Sequence, residues 1–237
     1  MSEWAQKRFW KVTAVDSTGD GFSVTLDGRS IRTPAKAPLR LPTRALAEAV
    51  AAEWDAQEDK IDPGTMPLTR MANSAVDKVA HQHAEVADIL AAYGESDLLC
   101  YRADGPAELI ARQAAAWDPL LDWAAAELQA PLNTGSGVMF IAQPPASLTA
   151  LSRRVHALTP WQLAGFHDLV ALTGSLIMGF AALDARWTRD DLWSWSRLDE
   201  EWQAEQWGSD EEAVEVAAIK AQSFADAAKF YDLVERV

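Results

Sequence analysis

Hydrophobic and polar positions change their period once along this chain. Before residue 43 they alternate: Phe22, Val24 and Leu26 stand between Ser23 and Thr25, and Arg8 to Val15 keeps the same rhythm. That is the spacing of strands with one face toward a core. Ser17 to Gly21 reads as a polar turn between them. Asp27-Gly28 suits a two-residue hairpin, both of whose central residues take positive φ. Leu39 and Leu41 flank Arg40 in a further short run that Pro42 ends. Residues 1–42 are therefore expected to form a small antiparallel β domain of three or four short strands. At that size it should lean on the neighbouring domain.

From Thr43 the period becomes helical. Thr43 is a candidate N-cap, and Leu46, Val50 and Trp54 recur at four-residue intervals on one face. After the turn-rich Ile61 to Pro67, Leu68, Met71, Ala72, Ala75, Val76 and Val79 restart the pattern, predicting a helix that continues toward Tyr93 and stops at Gly94. Pro106 opens the next helix and Pro119 is expected to restart it as a second short one through Gln129. Further helices are predicted over 147–158, 160–182, 188–206 and 209–234, the last opened by a Ser209 to Glu212 capping box after a break at Trp207-Gly208. The expected class is α+β: the small antiparallel β domain followed by a larger all-α domain over residues 43–237.

Charge sharpens this division. The net charge is +4 over residues 1–45, −10 over 46–183 and −8 over 184–237, and −14 for the whole chain. Such an excess of acid argues against a nucleic-acid partner or an anionic membrane, and favours a monomer that repels its own copies. The most apolar stretch, Leu163 to Leu183, is interrupted by Gly165, His167, Asp168 and Gly174, so a buried helix is expected there and no membrane insertion. Met1-Ser2-Glu3-Trp4 shows neither a basic head nor an apolar stretch, so no export or import signal is expected. Cys100, the one cysteine, lies beside Leu98 and Leu99 and reads as a small core hydrophobe.

Candidate chemistry is sparse. His81 and His83 would point about 200° apart on a helix and cannot share a metal. Gly135-Ser136-Gly137 lacks the remainder of a phosphate-binding loop, and Gly174 to Gly179 is not a nucleophile elbow. No metal, cofactor or catalytic residue is expected. Two carboxylate groups remain: Glu53 and Asp55 around Trp54, and Asp199, Glu200, Glu201 and Glu205 interleaved with Trp202 and Trp207. Five of the 11 tryptophans, 187, 193, 195, 202 and 207, fall within this C-terminal stretch. Aromatic rings among fixed charges are the composition of an interface hot spot. A carboxylate pair in a helical cleft would also serve a small-molecule enzyme, and that is the alternative reading.

Several motifs together resemble one family. They are Arg8-Phe9-Trp10-Lys11; Phe22 to Arg29 with Thr33-Pro34; Glu53-Trp54-Asp55-Ala56-Gln57 followed by Thr65-Met66-Pro67-Leu68-Thr69; and Gln203-Ala204-Glu205-Gln206-Trp207-Gly208. Their order and spacing resemble the Atp12 family of F1-ATPase assembly chaperones, in its bacterial form. The resemblance implies a small β domain joined to a larger helical one. It also implies a non-enzymatic chaperone that holds the unassembled α subunit of F1 and shields its β-facing surface until β replaces it. Eukaryotic members are mitochondrial; without a transit segment this chain resembles a cytoplasmic bacterial member. The expected partner-binding residues are Glu205 first, as the acid of the Glu-x-Trp-Gly motif, then Glu201, Glu200, Trp207 and Trp202, with Glu53, Trp54 and Asp55.

Overall fold

The structure is a computed structural model that describes residues 7–235. The signal reading of Met1 to Trp4 falls outside these residues. Three antiparallel strands come first: β1 (Thr13–Thr18), β2 (Gly21–Leu26) and β3 (Arg29–Ser30), in that order across the sheet. Ten helices follow among the described residues: α1 (Arg44–Asp55), α2 (Pro67–Ser74), α3 (His83–Ala91), α4 (Ala107–Glu127), α5 (Pro145–His156), α6 (Pro160–Thr173), α7 (Leu176–Ala181), α8 (Arg189–Ser196), α9 (Leu198–Trp207) and α10 (Glu211–Glu235). A short parallel pair, β4 (Tyr101–Arg102) and β5 (Gly135–Ser136), ties together the segments on either side of α4. The α+β class is as expected. No described helix is long and apolar enough to cross a membrane.

The chain forms two compact units that do not follow the change of period at Thr43. Among the described residues, one comprises 7–83, 159–165 and 226–235; the other comprises 84–158 and 166–225. In the first, β2 is the middle strand and is buried from Ser23 to Leu26, while α1 packs on β1 and β2 through Leu46, Ala47 and Val50. The sheet thus shares its unit with α1 and α2 because its apolar face needs a helix against it. Asp27 and Gly28 take φ of 49° and 78°, the expected hairpin geometry. Leu41 and Phe22 exchange backbone hydrogen bonds at 2.8 and 2.9 Å. The Thr43 hydroxyl oxygen accepts from the Leu46 N–H, and the same hydroxyl donates to the Leu233 carbonyl at 2.6 Å.

Five expectations need correction. The first strand begins at Thr13, not Arg8, because the N–H groups of Lys11 and Val12 donate to the Asp27 carboxylate instead of a ladder. The helix after Pro67 does not run unbroken to Tyr93: a π turn over Ala75–Val79 leads to exposed Ala80, His81 and Gln82, which give it no buried face to follow. Conversely, α4 passes through Pro119. Its stripe of Leu109, Ala116, Trp117, Leu120, Trp123 and Ala124 stays buried on both sides of the proline, and that packing outweighs a local cost of about 3 kcal/mol.

The helix predicted over 160–182 divides at Gly174, whose φ of 69° ends α6, and at Ser175, whose hydroxyl oxygen accepts from the Met178 N–H to open α7. The helix predicted over 188–206 divides at Arg197, beside Trp195, whose carbonyl takes the indole N–H of Trp117 at 2.9 Å. Leu163 to Leu183 is largely buried, as expected, and so is Cys100, whose thiol burial pushes up to about 12.

Candidate functional site

The carboxylates of the first motif are held by their own unit. Glu53 lies on the last turn of α1, where its carboxylate accepts from the N–H groups of Leu68 and Thr69, each at 2.8 Å, and from the Thr69 hydroxyl at 2.6 Å. It thereby satisfies free donors at the start of α2. Burial nonetheless raises its pKa above the ordinary value. Gln57 is buried; its amide donates to the Glu53 carbonyl and the Thr65 hydroxyl oxygen and accepts from the Asp62 N–H at 2.7 Å. Asp55 meets Arg8 at 3.4 Å. Trp54 is half-buried and packs edge-on to Trp10, with ring centroids 5.4 Å apart. Glu-Trp-Asp-x-Gln and Thr-Met-Pro-Leu-Thr therefore form one clasp that closes the connection between α1 and α2.

The second group is disposed around an open groove in the other unit. Between α9 and the first turns of α10 lies an apolar groove of about 490 Å³, lined by Trp193, Ala204, Trp207, Ala213, Val214 and Ala217, with Arg197, Glu200, Glu201 and Asp210 among its polar neighbours. It forms because Gly208, at φ 89°, ends α9 and turns the chain, after which α10 starts at Glu211. The Asp210 carboxylate accepts from the Glu212 N–H at 3.3 Å, so α10 begins one residue later than a cap at Ser209 would place it. Trp207 is 80% exposed and Val214 55%.

The tryptophans of this stretch divide by role. Trp202 is buried beneath Arg112, whose guanidinium sits 4.8 Å from its ring centroid. Trp187 stacks edge-on to Trp123, and Trp193 packs against Phe224. Among the acids, Glu200 pairs with Arg197 at 2.8 Å and Glu201 accepts from the Ser194 hydroxyl at 3.3 and 3.4 Å. Glu205 pairs with Arg112 at 2.9 Å, which holds its carboxyl below the ordinary range. Glu205 does not line the groove; it lies beside it on α9. Of the eight candidate residues, Glu200, Glu201 and Trp207 thus line the groove, Trp202 and Glu205 meet Arg112 outside its lining, and Glu53, Trp54 and Asp55 lie in the other unit. Trp193, one of the five tryptophans of this stretch, also lines the groove with Val214 and Ala217; Val214, Ala217 and the Arg112 that holds Glu205 were not anticipated. Arg112 is 93 residues from Glu205, and no spacing rule reaches that far.

The model of the ATP12 chaperone protein family matches residues 7–125, from Lys7 to beyond the clasp. The chain belongs to that family. Two solved Atp12 structures from Paracoccus denitrificans, one of them a point variant, are 49% identical to it, with TM-scores of 0.94, covering 98–99% of this chain and all of theirs. A solved protein from Agrobacterium tumefaciens is 40% identical, with a TM-score of 0.93, over 97% of this chain and 86% of its own. The curated mitochondrial protein atp12 of Schizosaccharomyces pombe is 25% identical over 223 residues, 89% of this chain and 76% of that one. The Atp12 likeness therefore extends over α9 and α10, beyond the residues matched by the family model.

Proposed function

We infer that this Atp12-family chain is an assembly chaperone for the F1 sector of ATP synthase, binding the unassembled α subunit and shielding its β-facing surface until the β subunit replaces it. The observation that carries this reading is the 49% identity to the Paracoccus Atp12 over nearly the whole chain. The chemistry of the face around α9 agrees with it. A free subunit exposes apolar and charged surface that self-associates unless covered. A temporary cover must be specific and releasable, which suits a modest apolar contact bordered by charge. Glu205, Glu201, Glu200 and Trp207 are assigned to contact, with Trp202 behind them. Glu53, Trp54 and Asp55 are assigned to support through the clasp. On this reading the chain is a binding protein and not an enzyme, acts as a monomer, and works in the bacterial cytoplasm.

Co-expression with the cognate α subunit, followed by size-exclusion chromatography of the soluble fraction, tests it. The expected result is α that is soluble only with this chain, in a one-to-one complex that adding β dissolves. Equal amounts of insoluble α with and without the chain would refute the reading.

A further inference from the structure

The groove between α9 and α10 has room for more than the charged contacts so far assigned to this face. Ala204, Ala213 and Ala217 leave it open, while Trp193, Trp207 and Val214 give it apolar surface. Its volume of about 490 Å³ falls within the range of cavities that seat a defined group, roughly 300–1,000 Å³. The apolar surface also extends past the cavity, because Trp207 and Val214 are both more than half exposed. A small molecule would leave that rim wet, whereas a protein segment would cover it.

Charge selects the segment. From Leu198 to Ile219 the chain carries eight carboxylates, on Asp199, Glu200, Glu201, Glu205, Asp210, Glu211, Glu212 and Glu215, and no Lys or Arg. Arg197 lines the groove but is already paired with Glu200. Among the described residues Glu201, which also lines it, holds only a serine hydroxyl at 3.3 and 3.4 Å, a long contact and weaker than the ion pair an ammonium or guanidinium would make. An acidic segment or an anionic lipid surface would meet net repulsion here.

We propose that this groove takes one segment of the client, with a single large apolar side chain seated against Trp193 and Trp207 and Lys or Arg residues flanking it, one of them reaching Glu201. The proposal rests on the chaperone reading and adds to it the kind of sequence recognised. Binding through one apolar anchor and a few cations is strong enough to select and weak enough to release. The incoming β subunit then needs to displace only a small contact.

The experiment uses the full chain with the cognate α subunit. Ala217→Trp fills the groove without altering charge, Glu201→Lys alters charge without filling it, and Ala218→Trp adds the same bulk to α10 away from the lining. In parallel, benzoylphenylalanine in place of Ala213 photo-crosslinks whatever occupies the groove, and mass spectrometry maps it. The expected result is that Ala217→Trp and Glu201→Lys melt with the wild type yet lower the yield of soluble α about tenfold, the loss of one anchor. Ala218→Trp retains capture. Crosslinks fall on one α-subunit segment with an apolar residue between basic ones.

Undiminished capture by Ala217→Trp while the wild type captures normally overturns the groove and leaves the chaperone reading standing. Crosslinks to a segment without Lys or Arg overturn the chemistry. Crosslinks to a second copy of this chain, for instance through its exposed Val138, Met139 and Phe140, also overturn the proposal. A wild type that fails to keep α soluble removes both readings together.

Discussion

Carboxylates crowd two stretches of this chain, residues 53–62 and 199–215, and they are disposed in opposite ways. In the first, Glu53 turns inward to accept backbone N–H groups at the start of α2, while Asp62 accepts from the Gly64 N–H and Asp55 meets Arg8 at the surface, all within their own unit. In the second, Glu200, Glu201 and Glu205 are held by side chains alone, next to an apolar groove whose rim is exposed. The clasp carries the stronger sequence signature, yet its geometry answers to folding. The groove carries the shorter motif and keeps its surface open. A distinctive string of residues therefore reports constraint, and which constraint depends on where its hydrogen bonds go.

Substitutions in the two regions should separate accordingly. The largest expected effect is from Trp54→Arg, which removes the edge-on contact with Trp10 and puts a cation into a half-buried apolar site; a loss of about 3 kcal/mol or more is expected, seen as insoluble protein or a collapsed denaturation midpoint. Soluble, fully stable Trp54→Arg that fails only in capturing α would move this residue into the binding group. Glu53→Ala comes next. It leaves two N–H groups and the Thr69 hydroxyl without their acceptor, and urea unfolding should show a loss of about 1.5–3 kcal/mol.

Acidity separates two carboxylates of the groove's own unit by sign, one buried in it and one on its surface. Asp97 is fully buried and accepts from the N–H groups of Leu99 and Ile177, and burial pushes its carboxyl up from 3.8 to about 6. A raised carboxyl holds its proton more tightly in the folded chain than in the unfolded one. Its contribution is full below 3.8 and is lost as pH rises through about 6. The stability of the wild type minus that of Asp97→Asn should therefore fall by up to about 1.4 kcal/mol per pH unit between pH 4 and 6, then level off. Glu205 has the reverse sign: its carboxyl is lowered by Arg112, so its contribution is present above 4.5 and lost as pH falls through its folded value.

The smallest expected effect on folding is at Glu205 itself. Its pair with Arg112 is half-exposed, and Glu205→Gln and Glu205→Lys should melt within about 2 °C of the wild type. Both should weaken capture of α, Lys more than Gln. A clear drop in Tm with undiminished capture would assign Glu205 to the Arg112 pair alone.

Local signals made much of this fold legible. The Asp27-Gly28 hairpin, the Thr43 cap, the stop at Gly208 and the start of α10 within two residues of Ser209 all depend on groups a few positions apart. Sequence and structure part where distant packing outvotes the local cue, as at Pro119, or where a local cue resembles a packing position, as with Gly174-Ser175. The candidate site was legible to the same extent. Glu200, Glu201 and Trp207 fall near one another because they share α9. Arg112 and the α10 wall of the groove came from tertiary structure, and so did the engagement of Glu53 by Leu68 and Thr69. Periodicity put Glu53 and Asp55 on different sides of α1, but it could not say which backbone would meet them.

Over its 25 residues α10 is also a built-in gradient of amide protection. Its first ten residues are exposed apart from Ala217, whereas Phe224, Ala227, Ala228, Phe230 and Leu233 are buried. Helix hydrogen bonds without packed side chains open locally, at little cost, while those beneath a core open only with the core. Deuterium should thus enter Val214 to Lys220 in the time of local fraying and reach Phe230 orders of magnitude later. A client seated in the groove would slow the fast end and leave the slow end untouched, so one peptide series along a single helix reads out occupancy without any substitution.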